Sequence, residues 1–311
     1  MARLGDICAV VSGTTPKSTQ PEYWDGNLNW VTPAELTDES DVIYESQRKI
    51  TPQAVIDSSL KPFPAGTVLL SSRAPIGKVA ITGTEMFCNQ GFKNLICSDK
   101  IYNRYLYHFL KDKTAYLNSL GRGATFKEIS KSIVENIEIP LPPLDEQRKI
   151  AAVLDKVSDL IAKRRQQLDR LDELVKSRFI EMFGDPVQNP LRWTKRPLLE
   201  MGYCKNGMNF HTGDSGIEMY CLGVGDFKDH SVIDGTDCLP TVSLNEAPPE
   251  ESMLRDGDIV FVRSNGNKAL VGRCLVVYPH STPTTYSGFC IRYRLTSDDV
   301  NTAYLLRVLK T

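Results

Sequence analysis

The chain has 311 residues, enough for two domains that each bury a core of their own. Apolar residues make up 41% and charged residues 24%, as in most globular proteins, and the formal net charge is −1. A protein that binds DNA tightly by itself usually carries a positive excess, so this balance argues against solo binding. It leaves open a DNA-binding protein whose partner supplies the positive charge.

The chain contains no apolar run that approaches the roughly 20 residues a membrane-spanning helix needs. Its eight cysteines include no Cys-x-x-Cys pair, and several occupy positions typical of strands, where a free cysteine behaves as a small apolar residue. We therefore expect a reduced, cytoplasmic protein without a membrane segment rather than a disulfide-bonded scaffold.

Residues 1–143 are predicted to form a mixed α/β (α+β) domain. Glycine and proline punctuate its short apolar segments, as they do between strands. The predicted elements are strands at Val68–Ser71, Val79–Thr82, Asn94–Cys97 and Ile137–Ile139, a helix over Asn103–Leu117, and a loop at Gly121–Phe126. Three prolines end the domain, because proline neither donates to a strand ladder nor fits inside a helix: Pro140, Pro142 and Pro143.

Residues 144–183 are predicted to form one long helix. Asp145 and Glu146 lie in its first turn, where the helix dipole favours acidic groups. Apolar residues recur at alternating spacings of three and four, interrupted only by Arg164 and Arg178. The seam residues are Ile150, Leu154, Val157, Ile161, Leu168, Leu171, Val175 and Met182. This spacing is typical of a coiled coil, and Gly184 followed by Pro186 predicts the helix end.

An apolar seam of this kind packs against a partner helix, and we predict no such helix elsewhere in the chain. A solvated linker is the alternative interpretation of this helix. A linker would need the charged residues but would not need eight apolar residues along one line. We therefore expect the helix to be a docking surface.

Residues 184–311 are predicted to repeat the first domain at an offset that drifts from 191 to 199. Gly66–Arg73 aligns with Gly257–Ser264, and Trp30–Leu36 aligns with Cys221–Phe227. Gly91-Phe92 aligns with Gly288-Phe289, and Tyr105-Leu106 with Tyr304-Leu305. The offset is too long for a solenoid repeat and indicates two related domains. By this alignment the second copy lacks an equivalent of residues 113–183.

No enzyme motif in the sequence is complete. Gly77-Lys78 resembles a phosphate-binding loop, but Val79 stands where serine or threonine would bind magnesium. The four histidines have no partner at zinc-ligand spacing and are interpreted as surface or hydrogen-bonded residues: His108, His211, His230 and His280. We expect a noncatalytic protein without a metal or a cofactor of its own.

Polar residues follow the same strands and turns in both halves, where they are placed to contact DNA. Arginine can meet guanine, asparagine and glutamine can meet adenine, and hydroxyl groups can hold phosphates. The predicted DNA contacts are Ser71, Ser72, Arg73, Lys78, Asn89 and Gln90 in the first half and Arg263, Ser264, Asn265, Asn267, Lys268 and Arg273 in the second. The alternative is that these are ordinary turn residues. The two halves keep their apolar frames but differ at these positions, as readers of different half-sites should.

The chain resembles the specificity subunits of type I restriction–modification systems. The most specific part of the resemblance is Ile139–Ile150, which runs into the long helix, together with Phe179–Pro186. Trp30–Leu36, Gly66–Ile81 and Gly121–Ile129 are also similar to segments of that family.

The resemblance implies two target-recognition domains joined by a coiled-coil-type spacer helix, 1–143, 144–183 and 184–311, and a split DNA target. It also implies modification subunits that methylate adenine with S-adenosylmethionine. A restriction subunit would use ATP and magnesium.

One departure from the family pattern is the second, distal spacer helix, which this chain lacks. Three explanations stay open: a homodimer through the central helix, a truncated or silent product, or a C-terminal part supplied by another polypeptide. Leaving eight large apolar residues exposed would cost on the order of 10 kcal/mol. We therefore expect that the chain is not a free monomer at micromolar concentration.

Two other functions compete with DNA recognition. A noncatalytic scaffold or decoy would bind modification subunits without reading DNA, and a hydrolase would turn over substrate by itself. The long helix is compatible both with a protein that reads DNA and with a decoy. Only the loop residues can therefore distinguish these two functions.

Overall fold

The computed structural model describes residues 1–73, 75–123, 127–210, 213–228 and 230–311. The chain divides into two compact units, Met1–Arg165 (unit 1) and Gln166–Thr311 (unit 2). The division falls inside the long helix, so each unit includes part of a segment that we predicted as separate. Both units are mixed α/β, in agreement with the predicted fold class.

Unit 1 contains two principal sheets. Its strands are β1 (Ala2–Arg3), β2 (Cys8–Val11), β3 (Trp24–Val31), β4 (Val42–Ile43), β5 (Lys49–Ile50), β6 (Val68–Leu70), β7 (Val79–Thr82), β8 (Phe87–Cys88), β9 (Asn94–Cys97) and β10 (Glu138–Ile139). Its helices are α1 (Leu4–Ile7), α2 (Pro52–Asp57), α3 (Asn103–Asp112), α4 (Thr114–Leu120) and α5 (Lys131–Glu135), followed by the start of α6 (Leu144–Phe183). The larger sheet has the order β2-β9-β6-β7-β4 and the smaller has the order β5-β3-β8. The helix predicted over Asn103–Leu117 is two helices, separated at Lys113.

The larger sheet is covered on both faces, as the side chains of strand β6 show. Successive side chains of a strand point to opposite sides. Val68 and Leu70 lie in the core formed with the helices, whereas Leu69 lies in the core that also contains Val31 and Phe92. All three β6 side chains are buried, so the strand is a continuous apolar run.

Unit 2 repeats this plan strand by strand. Its strands are β11 (Gly202–Asn206), β12 (Ile217–Leu222), β13 (Val232–Asp234), β14 (Thr241–Leu244), β15 (Asp258–Val262), β16 (Cys274–Tyr278), β17 (Thr284–Tyr286) and β18 (Cys290–Leu295). Its helices beyond α6 are α7 (Leu198–Met201) and α8 (Thr302–Lys310). The orders β11-β18-β15-β16-β13 and β14-β12-β17 match those of unit 1, and the same pairs are parallel. The predicted duplication is therefore confirmed.

The repeat extends to individual hydrogen bonds. The backbone N–H of Thr32 donates to Glu35 at 2.8 Å, at the start of a short 3₁₀ helix. The backbone N–H of Gly223 donates to Asp226 at 2.8 Å at the equivalent place in unit 2. An acidic residue three positions after the cap satisfies a backbone donor in both units.

Helix α6 begins and ends where the sequence predicts, at Leu144 and Phe183. Gln147 fastens its first turn to unit 1: its side chain is buried, donates to the carbonyls of Lys100 and Pro142, and accepts from the N–H of Tyr102. At the other end Gly184 has a φ of +76°, a conformation that glycine adopts without strain.

The apolar seam of α6 is largely exposed within each unit. Ile150 differs from the others, because it is partly buried and packs against the core of unit 1. The other seven seam residues are 38–63% exposed: Leu154, Val157, Ile161, Leu168, Leu171, Val175 and Met182. Val153, Leu160 and Leu174 are also exposed and widen the stripe.

A charged cluster fixes α6 against α3. Arg104 donates to Asp155 from two nitrogen atoms and also pairs with Asp41, and His108 Nε2 lies 2.7 Å from Asp155 Oδ1. Burial alone would raise the pKa of the Asp155 carboxyl. The hydrogen bonds from Arg104 and His108 outweigh burial and lower this pKa below its usual range.

This lowered pKa predicts an acid-sensitive contribution to the stability of unit 1. A carboxyl with a depressed folded-state pKa stabilises the fold above its unfolded pKa of about 3.9, and loses that effect as pH falls through the folded value. We expect Asp155→Asn to lower the urea midpoint at pH 6, with the difference from the unchanged chain shrinking toward pH 3. Asp112→Asn, at an exposed carboxylate that pairs with Lys113, should show almost no difference at either pH. A constant difference across this range would contradict the assignment.

No helix within the described ranges is both long and apolar enough to cross a membrane.

Candidate nucleic-acid interface

The loop after β15 carries the predicted contacts of unit 2 in an accessible position. Arg263, Ser264, Asn265, Asn267, Lys268 and Arg273 are all exposed. The side-chain oxygen of Asn265 accepts from the N–H of Asn267 at 2.8 Å, and that of Asn267 accepts from the N–H of Ala269 at 3.0 Å. Arg273 donates to the carbonyls of Ala269 and Phe227, so it braces this loop. The loop is thus ordered by its own polar groups.

A second exposed element of unit 2 lies beside this loop. The backbone N–H groups of Arg263 and Ser264 both donate to the carbonyl of Phe289, whose ring is 58% exposed. Gly288 donates to the carbonyl of Met208, which brings the segment after β11 to the same place. Phe289 was not among the predicted contacts. Its position after Gly288 could not have identified it, because Phe92 follows Gly91 in the same way and is buried.

Unit 1 departs from the prediction at Ser71 and Ser72. Both side chains are fully buried and therefore cannot contact DNA in this fold. The Ser71 hydroxyl donates to the carbonyl of Pro75 and accepts from the N–H of Lys78, and the Ser72 hydroxyl accepts from Lys93 at 3.3 Å. These serines hold the loop in shape, and naming them as DNA contacts was wrong.

Arg73 and Lys78 are half-buried in unit 1. Arg73 forms a β-bridge with Glu128, which places it next to the loop predicted at Gly121–Phe126. Residues 124–126 of that loop lie outside the described residues. Lys78 pairs with Asp38 at 2.5 Å, and this bond lowers the pKa of the Asp38 carboxyl. A bound phosphate would compete with Asp38 for Lys78.

Asn89 and Gln90 lie at a turn that meets the loop after β2. The Asn89 side chain accepts from the N–H of Gly91, so it shapes the turn. Gln90 is exposed and accepts from the hydroxyl of Thr15 at 2.5 Å. The structure thus brings Thr15, which sequence analysis missed, to a predicted contact that is 75 residues away in the chain.

Two tryptophans hold this loop of unit 1. Trp30 Nε1 donates to the carbonyl of Thr14, and Trp24 Nε1 donates to the carbonyl of Lys17. The Arg48 guanidinium lies 3.9 Å from the centre of the Trp24 ring. The loop therefore has a fixed backbone, on which Thr15 and Lys17 are exposed.

Each unit presents the groups that DNA recognition requires. The arginine and lysine side chains can neutralise phosphates, and the amides of Gln90 and Asn265 can reach base edges. In unit 2 the exposed ring of Phe289 adds an apolar surface for a base or a thymine methyl group. Unit 2 offers more accessible donors than unit 1, because several predicted contacts of unit 1 are engaged within the fold.

Within the described ranges no group of three or more histidine, cysteine, aspartate or glutamate residues could hold a metal ion. His108 contacts Asp155, and His280 contacts Asp234, a hydrogen bond that raises the pKa of its imidazole. His211 lies outside the described residues. None of the eight cysteines forms a disulfide.

Comparison with known proteins gives one consistent result. Residues 1–172 match the family described as "Type I restriction modification DNA specificity domain". The chain is 42% identical over 192 residues to the "Type I restriction enzyme MjaIX specificity subunit" of Methanocaldococcus jannaschii, an alignment that covers 60% of this chain and 44% of the relative. It is 26% identical over 269 residues to the EcoKI specificity subunit of Escherichia coli K12, covering 79% of this chain and 57% of that one. The chain spans about half the length of these relatives.

A solved structure of a type I restriction–modification system has the same fold. It has a TM-score of 0.50 at 18% identity and covers 99% of this chain and 78% of its own. The family match covers more than half of the chain, and the internal repeat extends the same plan to unit 2. The chain therefore belongs to the family of type I restriction–modification DNA specificity domains.

Proposed function

We propose that this chain is the DNA-recognition subunit of a type I restriction–modification system, with one half of a split target read by each unit. The observation that carries the proposal is the repeated scaffold with different polar loops. Equivalent turns follow β6 and β15, yet the first is braced internally whereas the second exposes Arg263 and Asn265. Two frames that keep their cores and differ in their loops suit two different half-sites.

The proposed partners are double-stranded DNA and the modification subunits, and through them the restriction subunit. The modification subunits would use S-adenosylmethionine, and the restriction subunit would use ATP and magnesium. A net charge of −1 supports this arrangement, since a partner would have to complete the positive clamp around DNA. A homodimer through α6 is a further assembly that the exposed seam supports. The free cysteines agree with a cytoplasmic location.

Arg263 provides the test of DNA reading. Arg263 follows the end of β15, and Arg255, also exposed, precedes the start of the same strand. We expect Arg263→Ala to reduce methylation at the target by about 10- to 100-fold, since one bidentate base contact is worth about 1–3 kcal/mol. Arg255→Ala should leave methylation unchanged. The measurement is genome-wide mapping of modified adenines in cells that also carry the modification subunits.

The same experiment separates a reader from a decoy. If the chain assembles with modification subunits but no adenine pattern depends on it, the chain is a decoy and DNA recognition is rejected. If methylation depends on the chain but Arg263→Ala leaves its pattern unchanged, the loop after β15 does not read bases.

A further inference from the structure

Two cysteines face each other at the edge of the larger sheet of unit 1. Within the described ranges, β2 is the outermost strand of that sheet and is bonded to β9 alone. The register of the two strands places Cys8 directly opposite Cys97. Both side chains lie on the face of the sheet that packs against the helices. Cys8 is buried in that core, and Cys97 is partly buried against it.

The two cysteines form a non-hydrogen-bonded pair of the antiparallel ladder. The N–H of Ser98 donates to the carbonyl of Ile7 at 3.0 Å, so the hydrogen-bonded pair lies one residue beyond the cysteines. The α-carbons of a non-hydrogen-bonded pair are about 4.5 Å apart, and disulfides join α-carbons that are about 4.4–6.8 Å apart. The backbone therefore already has a spacing that a disulfide accepts.

The two sulfur atoms are within hydrogen-bonding reach of each other. The Cys8 thiol donates to the Cys97 sulfur, and this bond lowers the pKa of the Cys97 thiol below its ordinary value. The thiolate is the form of cysteine that reacts with oxidants, and Cys97 is the more accessible of the two residues. Cys221 and Cys290 of unit 2 show the opposite case, because burial raises the pKa of each of these thiols to about 12.

Unit 2 shows that the fold does not require this pair. At the equivalent register of the repeated sheet, Gly202 lies opposite Leu295, where no disulfide can form. The repeat thus keeps the strand pairing and changes the two residues. The cysteines of unit 1 are therefore free to serve a purpose other than holding the sheet together.

We propose that a hydroperoxide oxidises the chain at this pair and joins Cys8 to Cys97 through a disulfide. The Cys97 thiolate attacks one peroxide oxygen, the O–O bond breaks, and the other oxygen takes a proton and leaves as water or an alcohol. Cys97 is then a sulfenic acid. The Cys8 sulfur attacks the sulfenic sulfur, the S–O bond breaks, and the oxygen leaves as water with the Cys8 proton. Both sulfur atoms are oxidised and the hydroperoxide is reduced.

The disulfide fastens the edge strand to the sheet. An edge strand opens locally more readily than a central strand, because it is bonded to one neighbour instead of two. β2 continues into the loop that carries Thr15 and Lys17, and β1 pairs with β10, which precedes α6. Oxidation is therefore expected to slow the local opening of this segment. The disulfide is independent of DNA reading, since neither cysteine belongs to the candidate interface.

Peptide mapping of the full chain tests the proposal. The reduced chain is treated at neutral pH with about a tenfold excess of hydrogen peroxide, alkylated and digested with trypsin. Trypsin releases Cys8 in the peptide 4–17 and Cys97 in the peptide 94–100, and neither peptide contains another cysteine. We expect the two peptides to be recovered joined. Hydrogen exchange of the Cys8–Val11 amides should slow by at least about tenfold relative to the reduced chain.

Two variants control the experiment. In Cys8→Ser the same oxidant should leave Cys97 as a sulfenic acid, which a diketone reagent traps. Cys204→Ser removes an exposed thiol of unit 2 and should leave the joined peptides unchanged. Recovery of the two peptides only in separate form, or joined only after the chain is unfolded in urea, would overturn the proposal. A disulfide that leaves the exchange of Cys8–Val11 unchanged would show that it does not fasten the edge strand.

Discussion

Replacement of Leu168 and Leu171 with aspartate is expected to convert the assembled protein into a 34.8 kDa monomer. Both side chains lie on the α6 seam and are 63% and 56% exposed within unit 2. Burying a leucine is worth about 1.5–3 kcal/mol, so losing two at an interface weakens association by at least about 100-fold. Sedimentation velocity at micromolar concentration should show a heavier species for the unchanged chain and a single monomer for the double variant.

Lys163→Asp/Arg170→Asp is the matched control for this prediction. The two positions are seven residues apart and lie about 200° around the helix from the seam residues Ile161 and Leu168. The control introduces two aspartates into α6 without touching the seam, and we expect assembly to persist. An unchanged chain that sediments only as a monomer would contradict a homodimer. Co-sedimentation with modification subunits would then show whether the seam serves them instead.

The duplication and the long helix were predictable because both are local patterns in the sequence. The repeated Gly66 and Gly257 turns keep their apolar strands, and both take the positive φ that glycine tolerates. The three-and-four spacing of apolar residues defined α6 to its terminal residues. What the spacing could not show is that the first seam residue, Ile150, packs against its own unit. That contact depends on how the helix leaves unit 1.

The interface was harder to predict because its contacts are long-range. Ser71 and Ser72 resemble turn residues in the sequence. In the structure a β-bridge between Ser71 and Phe92 continues the pairing of β6 with β9, and both serines are buried. The contact of Thr15 with Gln90 joins two loops that are also linked by the backbone hydrogen bond from Thr14 to Cys88 of β8. No local pattern encodes a contact between loops that lie so far apart in the chain. In unit 2 the loop after β15 is exposed and hydrogen-bonded to itself, so its predicted contacts stay accessible and remain a prediction.

Loss of the Asp258 carboxylate is expected to destabilise unit 2 selectively. Asp258 is buried at the start of β15 and accepts two hydrogen bonds from Arg294, at 2.8 and 2.7 Å. An arginine guanidinium stays protonated in proteins, so Arg294 keeps its charge when its partner is removed. A buried charge left without its partner destabilises a fold by about 3–5 kcal/mol. We expect Asp258→Asn to separate the urea transition of unit 2 from that of unit 1.

Two further variants distinguish the effect of an unpaired buried charge from the effect of losing one contact. Adding Arg294→Met to Asp258→Asn should recover part of the lost stability, because the double variant removes the unpaired charge. Glu251→Gln breaks the exposed pair with Lys205 in the same unit and should change stability by less than about 1 kcal/mol. Equal losses in the single and double variants would show that the charge was not the cause. Since β15 leads directly into Arg263, we also expect the Asp258→Asn chain to methylate the proposed split target less, because a larger fraction of unit 2 is unfolded.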